Sequence, residues 1–145
     1  MKRVWFVVGN PLRGDDGIAH QVAALLDLSG CPVHPVHQLT PELAADFEDA
    51  DEAVFLDANV RIHEVVIEPV DEASAGKPSW STHHFQPADL VSLARTYYGF
   101  KGRAYVCHLP APDLSLRVGL SAGAMAHCRH ALTALVHSGF ASSIL

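Results

Sequence analysis

Three side chains in this sequence are of the types that hold a divalent metal ion with positions left open: Asp16, Asp57 and His83. Two carboxylates and one imidazole are hard and borderline donors, suited to a first-row ion rather than to a thiolate-bound zinc. An ion held that way can polarise a carbonyl or bring the pKa of a bound water toward neutrality. The three are far apart in sequence, so the chemistry exists only if the fold brings them together. Each also has a plainer role. Asp15 and Asp16 are both able to cap a following helix, and the reading here gives Asp15 the cap and Asp16 the ligand role. Asp57 is equally able to start a turn with Asn59. His83 and its neighbour His84 have the composition of exposed loop histidines. His34, His37, His63 and His127 read as structural or surface groups among the ten histidines of the chain.

The elements that would position these groups begin with Val4-Trp5-Phe6-Val7-Val8. This apolar run is too short to span a membrane and lacks alternation, so it reads as a strand buried on both faces, as in parallel sheets covered by helices. Ligands of such sheets bind beyond the carboxyl ends of the strands, which is where Asp16 follows. Asn10 holds the intervening turn, and Gly9 and Gly17 give it backbone freedom. A helix follows with Ile18, Val22, Leu25 and Leu26 on one side and is expected to end near Ser29-Gly30. Pro32 to His37 is a short strand. Thr40-Pro41-Glu42 starts a helix carrying Leu43, Ala44 and Phe47. Ala53 to Leu56 is a second buried strand, ended by Asp57, and Val65 to Ile67 is another strand, bounded by Pro69. Asp71 to Ser81 reads as a surface loop leading to Thr82-His83-His84. Pro87 starts a helix, Arg103 to Leu109 is the last strand, and Ser121 caps the final helix. The order β-α-β-α-β-β-α-β-α predicts an α/β fold, a three-layer α/β/α sandwich on a mostly parallel, twisted sheet.

Bulk properties narrow the partners. The chain has 145 residues, which fits a single domain over 1–145 with a sizeable core. Its net charge of -6, without a basic run or stripe, argues against nucleic acid. No signal peptide and no membrane-spanning segment are expected. Cys31, Cys107 and Cys128 lack any Cys-x-x-Cys spacing and read as reduced thiols of a cytoplasmic protein. Gly9-x-x-x-x-Gly14 imitates a phosphate loop, but no Lys-Ser/Thr follows and two acids stand where phosphate needs positive potential. The Gly-x-Gly-x-x-Gly pattern is absent as well, so nucleotide binding and an organic cofactor are not expected.

Gly9-Asn10-Pro11-Leu12-Arg13-Gly14-Asp15-Asp16-Gly17 resembles the N-terminal signature of the hydrogenase maturation endopeptidases, which process the large subunit of [NiFe] hydrogenases. The resemblance continues through His37-Gln38-Leu39-Thr40-Pro41-Glu42-Leu43 and Phe55-Leu56-Asp57-Ala58. It extends to Ser81-Thr82-His83-His84 with Pro87, Tyr98-Gly99, and Gly119-Leu120-Ser121. It implies a five-stranded sheet between helices. It also implies a metal-dependent endopeptidase that removes the C-terminal extension of the [NiFe]-hydrogenase large-subunit precursor after nickel insertion. Asp16, Asp57 and His83 fall at the family's metal-binding positions, with Asp16 one methylene shorter than the Glu often found there. Nickel, supplied by the substrate, is then the recognition element. No Ser-His-Asp or Cys-His pairing supplies a nucleophile, so water is the expected attacking group. The alternative is an assembly factor that binds nickel and precursor without cutting.

Overall fold

The computed structural model describes residues 1–77 and 85–145. Five strands form one sheet: β1 (Arg3–Val8), β2 (Val33–Val36), β3 (Glu52–Asn59), β4 (Val66–Pro69) and β5 (Arg103–Pro110). Their order across the sheet is β2-β1-β3-β5-β4, parallel except for β4, which runs antiparallel to β5 at one edge. Among the described residues, three α-helices cover it: α1 (Ile18–Leu25), α2 (Pro87–Tyr97) and α3 (Ala122–His137). The fold is the expected α/β/α sandwich.

The apolar run of β1 explains its central place. Val4 and Phe6 point to one face and Trp5 and Val7 to the other, all essentially inaccessible to solvent. On the first face, Phe6 stacks on Phe47 at 5.0 Å and on Phe55 at 5.1 Å between ring centroids. Leu90, Val91 and Ala94 of α2 close that layer. On the second face, Trp5, Leu56 and Cys107 of the sheet meet Ile18 and Val22 of α1 and Cys128, Leu132 and Leu135 of α3. Each fully buried large side chain contributes about 1.5–3 kcal/mol of transfer free energy. The two layers therefore clamp the middle strands tightly, and the strand ends have a rigid base.

Several boundaries differ from the sequence expectation. Helix α1 stops at Leu25 rather than near Ser29-Gly30. Leu26 is already extended and bridges Ile144, and the Leu145 N–H donates to the Leu25 carbonyl at 2.8 Å. The end of the chain thus takes the hydrogen bonds that another helical turn would have used. Pro41–Phe47 is a 3-10 helix rather than an α-helix, and Thr40 makes no side-chain cap there. Strand β3 continues past Asp57 to Asn59, because β5 pairs with it residue by residue as far as Pro110. Other expectations hold: Pro87 opens α2, and the Ser121 hydroxyl accepts from the Ala124 N–H to cap α3. Among the described residues, no helix is long and apolar enough to cross a membrane.

The topology marks one place for chemistry. After β1 the chain passes through α1 to β2 on one side, then returns by way of residues 41–47 to β3 on the other. Successive connections therefore leave β1 and β3 in opposite directions and open a crevice beyond their carboxyl ends, the usual ligand position of open α/β sheets.

Candidate functional site

Asp16 and Asp57 meet at that crevice. Val8, the last residue of β1, is the register partner of Asp57 in β3. Gly9 then turns the chain back sharply at φ 151°. A Cβ on Gly9 would lie 2.0 Å from the Asp16 carbonyl oxygen, so only glycine permits this fold-back. Asn10 tightens it twice. Its side-chain oxygen accepts from the Leu12 N–H at 3.0 Å, and its own N–H donates to Asp16 Oδ2 at 2.6 Å. The Gly9 carbonyl can only accept, so His20 donates to it from Nε2, at 2.7 Å. The half-buried Asp16 carboxylate is thus held over the strand ends.

Asp57 lies on the same sheet face as Phe55, two residues along the strand. Its carboxyl is pushed up to about 7, first by burial and then by the negative charge of Asp16. The residue as a whole is half-buried, with protein packed around its carboxyl. Two carboxylates that repel one another at a partly open strand end form an arrangement that a cation would relieve.

Asp15 does not cap α1. That helix begins at Ile18, behind a 3-10 turn over Gly14–Gly17, and its N-cap position is Gly17 with no side-chain bond. Asp15 instead points inward. It is the one charged side chain among the described residues that is fully buried. Its Oδ1 accepts from the Ser121 N–H at 2.7 Å, and its Oδ2 accepts from the Asp113 N–H at 2.8 Å and the Ser121 hydroxyl at 2.7 Å. Arg117 Nη2 stands 3.7 Å from Oδ1. The first turn is thereby clasped to the β5–α3 loop. Nothing local in the sequence marks these partners, which lie about a hundred positions away.

His83, the third predicted ligand, and His84 lie outside the described residues. Among the described residues, no three His, Cys, Asp or Glu side chains are grouped to hold a metal ion. His108, not singled out by sequence, is the β5 register partner of Asp57 and shares its sheet face. Its Nε2 donates to Glu68 Oε1 at 3.0 Å, while its Nδ1 is buried without a partner among the described residues. The antiparallel approach of β4 creates this pair, and no spacing rule announces it. His34 is structural, stacking on Phe6 at 5.4 Å, and His37 and His63 are exposed. His127 is half-buried on α3.

The cysteines offer no nucleophile in this crevice. All three are free thiols. Burial pushes Cys107 up to about 12 and raises Cys128, and both side chains face the α1–α3 layer, away from Asp57.

No protein-family model and no curated protein sequence matches the chain. Solved structures do. The hydrogenase maturating endopeptidase HybD from E. coli is 25% identical, with a TM-score of 0.75, covering 96% of this chain and 94% of that one. The [NiFe] hydrogenase maturation protease HybD from Thermococcus kodakarensis is 22% identical with a TM-score of 0.73, covering 97% and 99%. The HycI protease of the same organism is 20% identical with a TM-score of 0.62, covering 90% and 87%. With near-complete mutual coverage, the chain shares the fold of these solved hydrogenase maturation proteases.

Proposed function

We propose that this protein is an endopeptidase that removes the C-terminal extension from the large-subunit precursor of a [NiFe] hydrogenase, and does so after nickel has been inserted. The observation that carries the reading is the Asp16–Asp57 pair at the crevice where the connections from β1 and β3 diverge. The likeness to HybD of E. coli supports it.

In this reading nickel arrives with the substrate. Asp16 and Asp57 supply oxygen donors and His83 an imidazole. The like charges of the two acids make the empty crevice electrostatically unfavourable and a cation-bearing peptide a natural guest. Asp16 is oriented through the Asn10 N–H and Asp57 by its strand, so the precursor segment is gripped by groups fixed before it arrives. Water is the nucleophile in this reading; Cys107 and Cys128 are held protonated by burial and face away from Asp57. Conditional recognition follows: a precursor without nickel lacks the group that the carboxylates engage.

Mass spectrometry of the precursor after incubation with this protein tests the reading. The nickel-loaded precursor is expected to lose its C-terminal extension, and the nickel-free precursor to remain intact. Equal cleavage of both would overturn nickel recognition. Binding without shortening would make the protein an assembly factor rather than a protease.

A further inference from the structure

The turn after β1 and the loop between β5 and α3 are zipped into one surface at the rim of the crevice. The Gly14 N–H donates to the Arg117 carbonyl at 2.9 Å, and the Arg117 N–H donates to the Leu12 carbonyl at 3.1 Å. Arg13 and Arg117 thereby form a parallel bridge. The Asp15 N–H adds a bond to the Asp113 carbonyl at 2.8 Å, and the buried Asp15 carboxylate fastens the pair from below. On top of this braced platform stand three large aliphatic side chains. Leu12 is 57% exposed, Leu116 is 87% exposed and Val118 is 78% exposed.

Single exposed aliphatics are ordinary on protein surfaces. Three on one braced pair of loops form a patch, and such patches mark interaction surfaces. The charge beside them narrows the partner. Although the chain carries a net charge of -6, two of its arginines sit here. Arg117 Nη2 faces Asp113 at 3.4 Å, whereas the exposed Arg13 guanidinium forms no ion pair among the described residues. An unspent arginine beside them is a residue type enriched at interfaces. The patch is also continuous with the crevice, because the Asp16 N–H donates to the Arg13 carbonyl at 3.1 Å. A protein that presents a peptide to Asp16 and Asp57 has its own body lying across this rim.

We propose that Leu12, Leu116 and Val118, with Arg13, dock the folded body of the precursor through a complementary patch of aliphatic side chains flanked by carboxylates. The inference rests on the proposed function, and its test separates the two.

The double variant Leu116→Ser/Val118→Ser and the single variant Arg13→Glu are compared with the wild type for binding to the nickel-loaded precursor, for cleavage kinetics, and for sedimentation. All three positions are exposed, and unchanged thermal melts confirm folding. The double variant is expected to weaken binding and raise KM about tenfold with kcat unchanged. Arg13→Glu is expected to slow association and flatten its dependence on salt. Wild-type binding and KM in both variants would overturn the docking surface while leaving the protease reading intact. Wild-type binding without cleavage, lost in the double variant, would overturn the protease reading and keep the surface. A wild-type dimer that the double variant dissolves, or no wild-type binding at all, would overturn the docking surface.

Discussion

Replacing Asp57 with Asn is expected to stabilise the metal-free protein at neutral pH while abolishing precursor cleavage. The carboxyl is held from its ordinary 3.8 up to about 7 by burial and by Asp16, so ionising it costs folded-state free energy that the unfolded chain does not incur. Each tenfold change in proton affinity corresponds to about 1.4 kcal/mol, which sets a ceiling of about 4 kcal/mol. The half-buried position of Asp57 lets solvent screen part of this, leaving about 1–2 kcal/mol. The sign follows from proton counts. Between pH 4 and 7 the folded state holds the Asp57 proton that the unfolded state has lost, so wild-type stability falls with rising pH across that window. Above pH 7 the penalty is complete, and below pH 4 it is absent. Urea unfolding of both proteins in chelator at several pH values reads this, since groups that do not interact with Asp57 cancel in the difference. The advantage of Asp57→Asn should be near zero at pH 4, grow through pH 7, and then level off. An Asn variant that is less stable at pH 8, or whose advantage is independent of pH, would refute the reasoning.

Two further substitutions probe the turn that carries Asp16. Asp15→Ala removes the acceptor for the Asp113 N–H, the Ser121 N–H and the Ser121 hydroxyl, and should cost about 3 kcal/mol in urea unfolding; a loss below about 1 kcal/mol would contradict the clasp. Gly9→Ala forces a Cβ against the Asp16 carbonyl, so it should lower stability by about 2 kcal/mol and reduce cleavage by displacing Asp16; wild-type cleavage in a folded Gly9→Ala protein would count against the geometry.

The sequence was most legible where hydrophobic pattern and local chemistry act alone. The unbroken apolar run of β1, the proline opening α2 and the serine capping α3 each need only near neighbours to be understood. The position of Asp16 just beyond β1 followed from the same reasoning, whereas Asp57, read as the end of its strand, lies within β3. The sequence was least legible where distant segments compete for a backbone group. The end of α1 is set by residues 143–145, which claim the carbonyl and extended backbone at Leu25 and Leu26. The extension of β3 past Asp57 depends on the length of β5, and the Glu68–His108 pair on the antiparallel return of β4.

The division of labour between Asp15 and Asp16 combines both kinds of information. Adjacent residues in a 3-10 turn point about 120° apart, so two neighbouring acids there cannot share one environment. Once Gly9 folds the turn back, one carboxylate enters the interior and the next overhangs the strand ends. The interior one has its oxygens satisfied by three donors, with Arg117 beside it. The other accepts the Asn10 N–H and keeps solvent access toward Asp57. A helix cap at Asp15 would have served α1 alone. Its burial instead ties the turn to the far loop, so the support beneath Asp16 is tertiary and does not depend on α1 by itself.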